Sequence, residues 1–164
     1  MVINQIAQKF MLPFSRSWWV EPGMILAGCY PGDLDPAVAH EKISALLDAG
    51  MRSFICLQEE NEKNEAGLPF KDYRPLLEEL AQKRGTEIDW KRFPIKDNYI
   101  PKIAEMENIL KAIEESLQQN KPVYVHCWGG HGRTGTVIGC WLVKQGLTAK
   151  EALECMSMSR LHNP

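Results

Sequence analysis

The sequence lacks the features that would assign it to a membrane or nucleic-acid-binding class. Asn4, Gln5 and Gln8 interrupt its apolar N-terminal stretch, and no apolar run approaches the ~18 residues that a membrane-spanning helix requires. A dominant charge is also missing, since 19 basic and 21 acidic residues give a formal net charge of −2. We therefore expect no membrane span and no binding to nucleic acid.

Cysteine pairs at metal-binding or disulfide spacing are missing too. The 5 cysteines are odd in number, widely separated and without a Cys-x-x-Cys pair, which argues against a disulfide framework and structural zinc. This usage is typical of a reducing compartment, so we expect a cytoplasmic protein without metal or cofactor. No histidine accompanies the acidic run, which predicts a solvated loop rather than a metal site; the run comprises Glu59, Glu60, Glu62 and Glu65.

No internal repeat, low-complexity tract or long linker divides the sequence. A chain of 164 residues with 45% apolar content has the length and composition of one ordinary domain. We therefore predict a single domain over residues 1–164, in which residues 1–20 form an N-terminal arm or short amphipathic helix. We favour a monomer.

Strand and helix patterns alternate along the rest of the chain. Short β-prone runs occupy residues 24–27, 52–57, 87–93 and 122–127. Helical patterns lie between and after them, and Asp35-Pro36 and Thr148-x-x-Glu151 are typical helix starts. The last two helices are expected over residues 136–144 and 148–160. This alternation predicts an α/β fold, with a central, mostly parallel sheet of four to five strands and helices on both faces.

The segment VHCWGGHGRTG, residues 125–135, lies between a predicted buried strand and a predicted buried helix. Open α/β sheets bind ligands at the carboxyl ends of their strands. Residues 128–133 can wrap so that backbone N–H groups converge, glycines can adopt the positive φ this needs, and the helix adds its positive dipole end. The pattern predicts an oxyanion site, formed by Trp128, Gly129, Gly130, His131, Gly132 and Arg133.

Cys127 and Arg133 determine the chemistry that this site can perform. Arg133 can hold two oxygens of an anion with a bidentate guanidinium. Cys127 lies at the base of the loop, where the amide dipoles, the helix N-terminus and Arg133 favour the thiolate over the thiol. A thiolate beneath a bound oxyanion is suited to attack phosphorus, which indicates catalysis through a phosphocysteine. The Thr134 hydroxyl could hydrogen-bond the sulfur and make it a better leaving group.

Together, His126-Cys127-x5-Arg133-Thr134-Gly135 resembles the signature of the protein tyrosine phosphatase superfamily in its dual-specificity branch. The adjoining histidine, glycines and Thr-Gly make this motif far more specific than Cys-x5-Arg alone. The resemblance implies a metal-independent protein phosphatase that acts on phosphotyrosine and, through a shallow cleft, on phosphoserine and phosphothreonine. Two alternatives stay open: a phosphatase for inositol phosphates, phosphoinositides or other non-protein phosphates, and an inactive phosphate-binding pseudophosphatase.

Cleavage of a phosphate ester needs a proton donor at the leaving oxygen. The loop FPIKDNYIP carries Asp97 between Pro94 and Pro101. In the family, an aspartate on the corresponding loop acts as general acid and then as general base, and the resemblance implies that role for Asp97. Two alternatives remain: Asp97 only caps a turn or the helix that begins near Lys102, or Asp89 in the preceding strand is the acid.

Four further residues near the loop have weaker signals. We expect His126 to fix the loop as a structural hydrogen-bond partner. His131 could become cationic near neutral pH and favour polyanionic substrates, or it could be an exposed residue without a role. Trp128 could flank a substrate ring or pack against the sheet. Cys56, at the end of a central strand, could approach Cys127 and protect it as a disulfide.

Overall fold

The structure, a computed structural model, describes residues 11–161. Residues 1–10 of the expected N-terminal arm lie outside the described residues. The expectation of an arm is wrong for the residues that follow, because Ser17–Glu21 forms strand β1. This β-prone segment, SWWVE, pairs antiparallel with β2, and its Trp18 side chain is only 3% exposed. Burial of a large aromatic side chain therefore holds this segment in the sheet.

The sheet has five strands in the order β1-β2-β5-β3-β4. The remaining strands are β2 (Ile25–Gly28), β3 (Ser53–Cys56), β4 (Asp89–Arg92) and β5 (Val123–His126). All pairings except β1 with β2 are parallel. The predicted α/β fold with a mostly parallel sheet is confirmed, and β5 lies at its centre.

Five helices in the described residues cover both faces of the sheet: α1 (Pro36–Asp48), α2 (Arg74–Lys83), α3 (Ile103–Gln118), α4 (Gly132–Lys144) and α5 (Ala149–Leu161). Side chains of α1 and α2 pack with Tyr124 of β5, whereas those of α3, α4 and α5 pack with Val125. Successive residues of a strand point to opposite faces, so β5 contributes to both cores. None of these five helices combines the length and apolar character that a membrane crossing requires.

Helix α4 begins earlier than its apolar pattern predicts. We expected residues 136–144, but the helix starts at Gly132 and includes Arg133 and Thr134 in its first turn. Both side chains are polar and yet buried, so a search for apolar periodicity passes over them. The two predicted helix starts are present: the Asp35 side chain accepts the Ala37 N–H at 2.9 Å, and the Thr148 N–H donates to Glu151 at 2.7 Å.

Three loops and the start of α4 meet at the carboxyl edge of the parallel strands. Gly28 of β2 and Cys56 of β3 both align with His126, the last residue of β5. The chain then forms the Cys127 loop, residues 127–133. Beside it lie the Glu62 loop, residues 57–73 between β3 and α2, and the Asp97 loop, residues 93–102 between β4 and α3. This edge is where an open parallel sheet forms a ligand site.

Candidate active site

The Cys127 loop wraps around a buried sulfur. Cys127 is 3% exposed, and its Sγ accepts a hydrogen bond from the Gly130 N–H at 3.2 Å. Gly130 has a φ of 80°, and a Cβ there would lie 2.5 Å from the Gly28 carbonyl carbon. We expected such constraints at all three loop glycines, but Gly129 and Gly132 have neither a positive φ nor a blocking backbone atom. Only Gly130 is required by local geometry.

Arg133 is held in one orientation by the two neighbouring loops. Its Nη1 and Nη2 donate to the Glu62 carboxylate, each at 2.7 Å, and Nη1 also donates to the Ile95 carbonyl at 2.9 Å. The Nε–H and the second Nη2–H form the opposite edge of the guanidinium, and no described residue accepts from Nε. That edge is the arrangement with which arginine binds two oxygens of a phosphate.

The Glu62 partner of Arg133 was missed in the sequence. We predicted a solvated acidic loop, but the Glu62 side chain is only 9% exposed. Burial raises the pKa of Glu62, but hydrogen bonds and the positive charge from Arg133 outweigh it, so this pKa lies below its ordinary value. Glu62 therefore stays ionised beside the arginine. A separation of 71 residues explains why no sequence pattern links the two.

Asp97 lies at the open side of Arg133. Its Oδ1 is 3.3 Å from Arg133 Nη2, and its side chain is 51% exposed. The cap of α3 is formed instead by Glu105, which accepts the Lys102 N–H at 2.7 Å, so Asp97 does not serve as that helix cap. Asp89 begins β4, at the opposite edge of the sheet from Cys127, and accepts from Lys121 at 2.7 Å. Of the two candidate acids, only Asp97 lies at the Cys127 loop.

His126 fixes the loop from below through a buried network. Its Nδ1 lies 3.1 Å from the Cys127 carbonyl and its Nε2 lies 2.7 Å from the Tyr73 hydroxyl, which also accepts from Trp90 Nε1 at 2.9 Å. A carbonyl can only accept, so Nδ1 carries the proton and the Tyr73 hydroxyl donates to Nε2. Burial lowers the pKa of His126 to about 4. A neutral imidazole of fixed tautomer suits a structural partner of the loop.

The structure bears on two neighbouring side chains. The Thr134 hydroxyl is buried and has no hydrogen-bond partner within the described chain, so the predicted bond to the Cys127 sulfur is not formed in this structure. For His131 the sequence left two alternatives, a cationic residue and one without a role; partial burial and the charges of Arg160 and Arg16 lower its pKa, which disfavours the first. Its ring stacks on Trp18 at 6.3 Å, and the cations beside it disfavour a further positive charge.

Two arginines outside the sequence motif contact the Cys127 loop. Arg160, in the last helix, donates to the His131 carbonyl at 3.3 Å and lies over the Trp18 ring. Arg16, which precedes β1, donates to the Gly129 carbonyl at 3.2 Å. Both bonds hold carbonyl groups of the Cys127 loop. No sequence pattern indicated either arginine, because only the fold brings the segment before β1 and the last helix to this loop.

Trp128 packs against the Glu62 loop rather than against the sheet. Its ring meets that of Phe70 edge to face, with centroids 5.8 Å apart.

The cysteines are all free, and burial raises the pKa of Cys56 to about 11, so the protective disulfide is not formed in this structure. Within residues 11–161, no group of three or more His, Cys, Asp or Glu side chains is placed to hold a metal ion.

Residues 14–163 match the family model described as PTP-SAK, Swiss Army Knife protein, DSP-PTPase phosphatase domain. The described strands and all three loops lie inside that match, as do Cys127, Arg133 and Asp97. The match therefore covers the candidate site and the scaffold that carries it.

Individual relatives align over shorter segments. Over 129 residues, the chain is 30% identical to protein 067L of Invertebrate iridescent virus 3, which is named as a tyrosine phosphatase; the alignment covers 76% of this chain and 48% of that protein. Over 74 residues it is 35% identical to the phosphatidylinositol 3,4,5-trisphosphate 3-phosphatase and protein-tyrosine-phosphatase PTEN1 of Arabidopsis thaliana, covering 44% and 18%. The chain thus spans less than half the length of these curated relatives.

Among solved structures, the chain resembles the crystal structure of PTPMT1 in complex with PI(5)P. The TM-score is 0.67, and the superposition covers 90% of this chain and 85% of that chain. Sequence identity is 18%, so this similarity concerns the fold alone.

Proposed function

The chain belongs to the dual-specificity branch of the protein tyrosine phosphatase superfamily, and we propose that it hydrolyses phosphate monoesters through a phosphocysteine on Cys127. The observation that carries the proposal is the convergence of three groups on one loop. Cys127 Sγ accepts from a loop amide at 3.2 Å, Arg133 lies in the first turn of the helix that follows, and Asp97 lies 3.3 Å from Arg133 Nη2.

In the first step, the Cys127 thiolate attacks phosphorus. A phosphorus–sulfur bond forms as the bond to the leaving oxygen breaks, and Asp97 donates its proton to that oxygen. The negative charge that develops on the remaining oxygens is stabilised by the loop N–H groups and by the Nε and Nη2 edge of Arg133. The products of this step are the phosphocysteine, the free alcohol or phenol, and an ionised Asp97.

In the second step, Asp97 acts as the base. It accepts a proton from the water that attacks phosphorus, the phosphorus–sulfur bond breaks, and inorganic phosphate leaves. The thiolate and the protonated aspartic acid are thereby restored. Asp97 is half-exposed, on a loop, so it can meet both the leaving oxygen and the incoming water.

For the substrate, we propose phosphotyrosine in proteins, with phosphoserine and phosphothreonine as further substrates. Exposed aromatic and aliphatic side chains on the Asp97 loop, Tyr99 and Ile100, support contact with a protein surface. Phosphorylated inositols are the second candidate substrate class. The resemblance to PTEN1, whose name includes a phosphoinositide activity, favours this class. Basic side chains beside the Cys127 loop, Arg16 and Lys71 among them, favour it too.

The test of this proposal is hydrolysis of p-nitrophenyl phosphate in the presence of EDTA. We expect the wild type to turn over, and Cys127→Ser to lose activity by about 10⁴-fold or more, because a serine hydroxyl lacks the nucleophilicity of a thiolate. Cys140→Ser is the matched control, since Cys140 lies half-buried on α4 outside the loop, and it should retain activity. A folded wild type that binds vanadate without turnover would instead be a phosphate-binding pseudophosphatase.

A further inference from the structure

A cavity of about 510 Å³ opens beside the Cys127 loop. We call it the Trp128 cavity; its lining includes Arg16, Tyr30, Lys42, Phe70, Lys71 and Trp128. Cavities that bind small molecules typically have volumes of about 300–1,000 Å³. Trp128 directly follows Cys127 in sequence, so the cavity shares a residue with the Cys127 loop.

One side of the Trp128 cavity is aromatic. Phe70 meets Tyr30 edge to face at 4.9 Å and Trp128 at 5.8 Å. Phe70 belongs to the same loop as Glu62, the partner of Arg133, so this aromatic group joins the cavity wall to the candidate active site. Such a wall suits a ring or an aliphatic spacer rather than a fully hydrated ion.

Charged side chains also line the cavity. Arg16, Lys42 and Lys71 line it together with two carboxylates, Asp33 and Glu65. Asp33 is already bound by Lys42 at 3.2 Å. Lys71 forms no ion pair with any residue in the range 11–161, and the one hydrogen bond of Arg16 there goes to a carbonyl, Gly129 O. Two cations therefore face the cavity without a carboxylate partner.

Two of these cations also act on Cys29. Cys29 is 5% exposed and lines the same cavity. Burial raises the pKa of its thiol, and the positive charges of Lys42 and Arg16 oppose that rise. Arg16, from the segment before β1, and Lys42, from α1, thus both act on the Cys29 thiol.

We propose that the Trp128 cavity binds a second anionic group, a phosphate or a carboxylate, that the substrate carries beside the phosphate being cleaved. The inference rests on the proposed function, because it assumes that the scissile phosphate occupies the Cys127 loop. The aromatic wall takes the ring or spacer between the two anions, and the unpaired cations take the second anion. Lys71 and Arg16 are then specificity-determining residues for doubly anionic substrates.

The experiment compares substrates in two matched pairs. One pair is a phosphotyrosine peptide with glutamate neighbours and the same peptide with alanine neighbours; the other is an inositol bisphosphate and an inositol monophosphate. The readout is the ratio of kcat/KM within each pair. We expect a ratio well above one in the wild type for at least one pair, and a fall of that ratio by about fivefold in Lys71→Gln, the size of an exposed charge pair. The pair that responds identifies the source of the second anion.

The matched control is Lys63→Gln, which removes a lysine from the same loop but outside the cavity lining, and it should leave both ratios unchanged. Unchanged ratios in Lys71→Gln and Arg16→Gln for both pairs would overturn the proposed subsite, even with full activity on p-nitrophenyl phosphate. Absence of any turnover would instead contradict the proposed function. In that event, affinity ratios for the same ligand pairs, measured by calorimetry on Cys127→Ser and on Cys127→Ser with Lys71→Gln, decide the subsite by the same criterion.

Discussion

The two halves of the candidate site are built in different ways. The first half, His126 to Thr134, is one continuous segment at the centre of the sheet, where Cys127 and Arg133 are each 3% exposed. The second half comes from separate loops, and its Asp97 side chain is 51% exposed. A buried, continuous segment fixes the groups that bind charge, whereas an exposed loop can move with the substrate.

Arg133 joins the two halves. It lies in the first turn of α4 in the first half, and it binds Glu62, Ile95 and Asp97 in the second. We therefore expect changes in the buried half to remove the geometry that binds phosphate. Changes in the loop half should mainly affect proton transfer or the orientation of Arg133, with smaller losses of activity.

Arg133→Lys should lower kcat by about 10³-fold, because lysine keeps the charge but cannot present a bidentate edge while it contacts Glu62. The measurement is steady-state hydrolysis of p-nitrophenyl phosphate. Arg52→Lys is the matched control, since Arg52 is a half-buried arginine whose hydrogen bonds go to the Leu47 and Met51 carbonyls. A loss below tenfold would mean that charge alone, and not the guanidinium geometry, stabilises the transition state.

The pH dependence of the free energy of unfolding tests whether the buried half holds His126 in its neutral form. The pKa of His126 is lowered to about 4 in the folded protein, against about 6.5 in the unfolded chain. As the pH falls, the unfolded chain therefore binds a proton at His126 before the folded protein does. The stabilisation from the neutral His126 is complete above pH ~6.5 and is lost as the pH falls towards ~4. The loss should total about 3 kcal/mol.

Two measurements check this prediction. Urea unfolding between pH 7 and pH 4 gives the free energy of unfolding, and NMR of the imidazole gives the titration of His126 directly. His40→Gln, at an exposed histidine, should leave the pH profile unchanged. An His126 resonance that titrates near pH 6.5 in the folded protein would show that the imidazole is not held in the neutral form by its buried network.

The same division explains what could be predicted from the sequence. The α/β fold followed from alternating apolar patterns, and the proposal for Cys127 and Arg133 followed from ten consecutive residues, 126–135, whose order reflects one loop. Glu62 could not be predicted, because it contacts Arg133 only through the fold and lies among other glutamates. The motif could not decide between the alternatives for His131 or give the hydrogen bond of Thr134, because these depend on side-chain rotamer and on local charge from distant residues such as Arg160.

Asp97→Asn should lower kcat by about 10²-fold with phenyl phosphate and by less with p-nitrophenyl phosphate, whose leaving group needs less protonation. A general acid must carry its proton, so the fall in wild-type rate at high pH should disappear in the variant. Asp89→Asn is the matched control, because Asp89 pairs with Lys121 at the opposite edge of the sheet. Equal losses in both variants, or an unchanged pH profile in Asp97→Asn, would assign the acid elsewhere.

Glu62→Gln should have the smallest effect, a decrease of about tenfold in kcat/KM, because the amide keeps one acceptor for Arg133 but loses the charge.

The free energy of unfolding of Glu62→Gln should also depend on pH differently from that of the wild type. The pKa of Glu62 is lowered by Arg133 despite burial, so its stabilisation is present at neutral pH and lost as the pH falls through that lowered value. The variant should therefore be less stable than wild type at pH 7, and should lose less stability on acidification, in urea unfolding.

Glu59→Gln is the matched control, because Glu59 lies in the same loop but is exposed. It removes the same charge without removing a partner of Arg133. If Glu62→Gln behaves like this control in activity and in pH-dependent stability, then Arg133 is oriented by its own helix and by the Ile95 carbonyl, and the loop half contributes only the acid. If Glu62→Gln alone weakens turnover, the arginine requires both halves. The positioning of its phosphate-binding edge is then a property of the assembled loops, beyond what the Cys127 loop provides by itself.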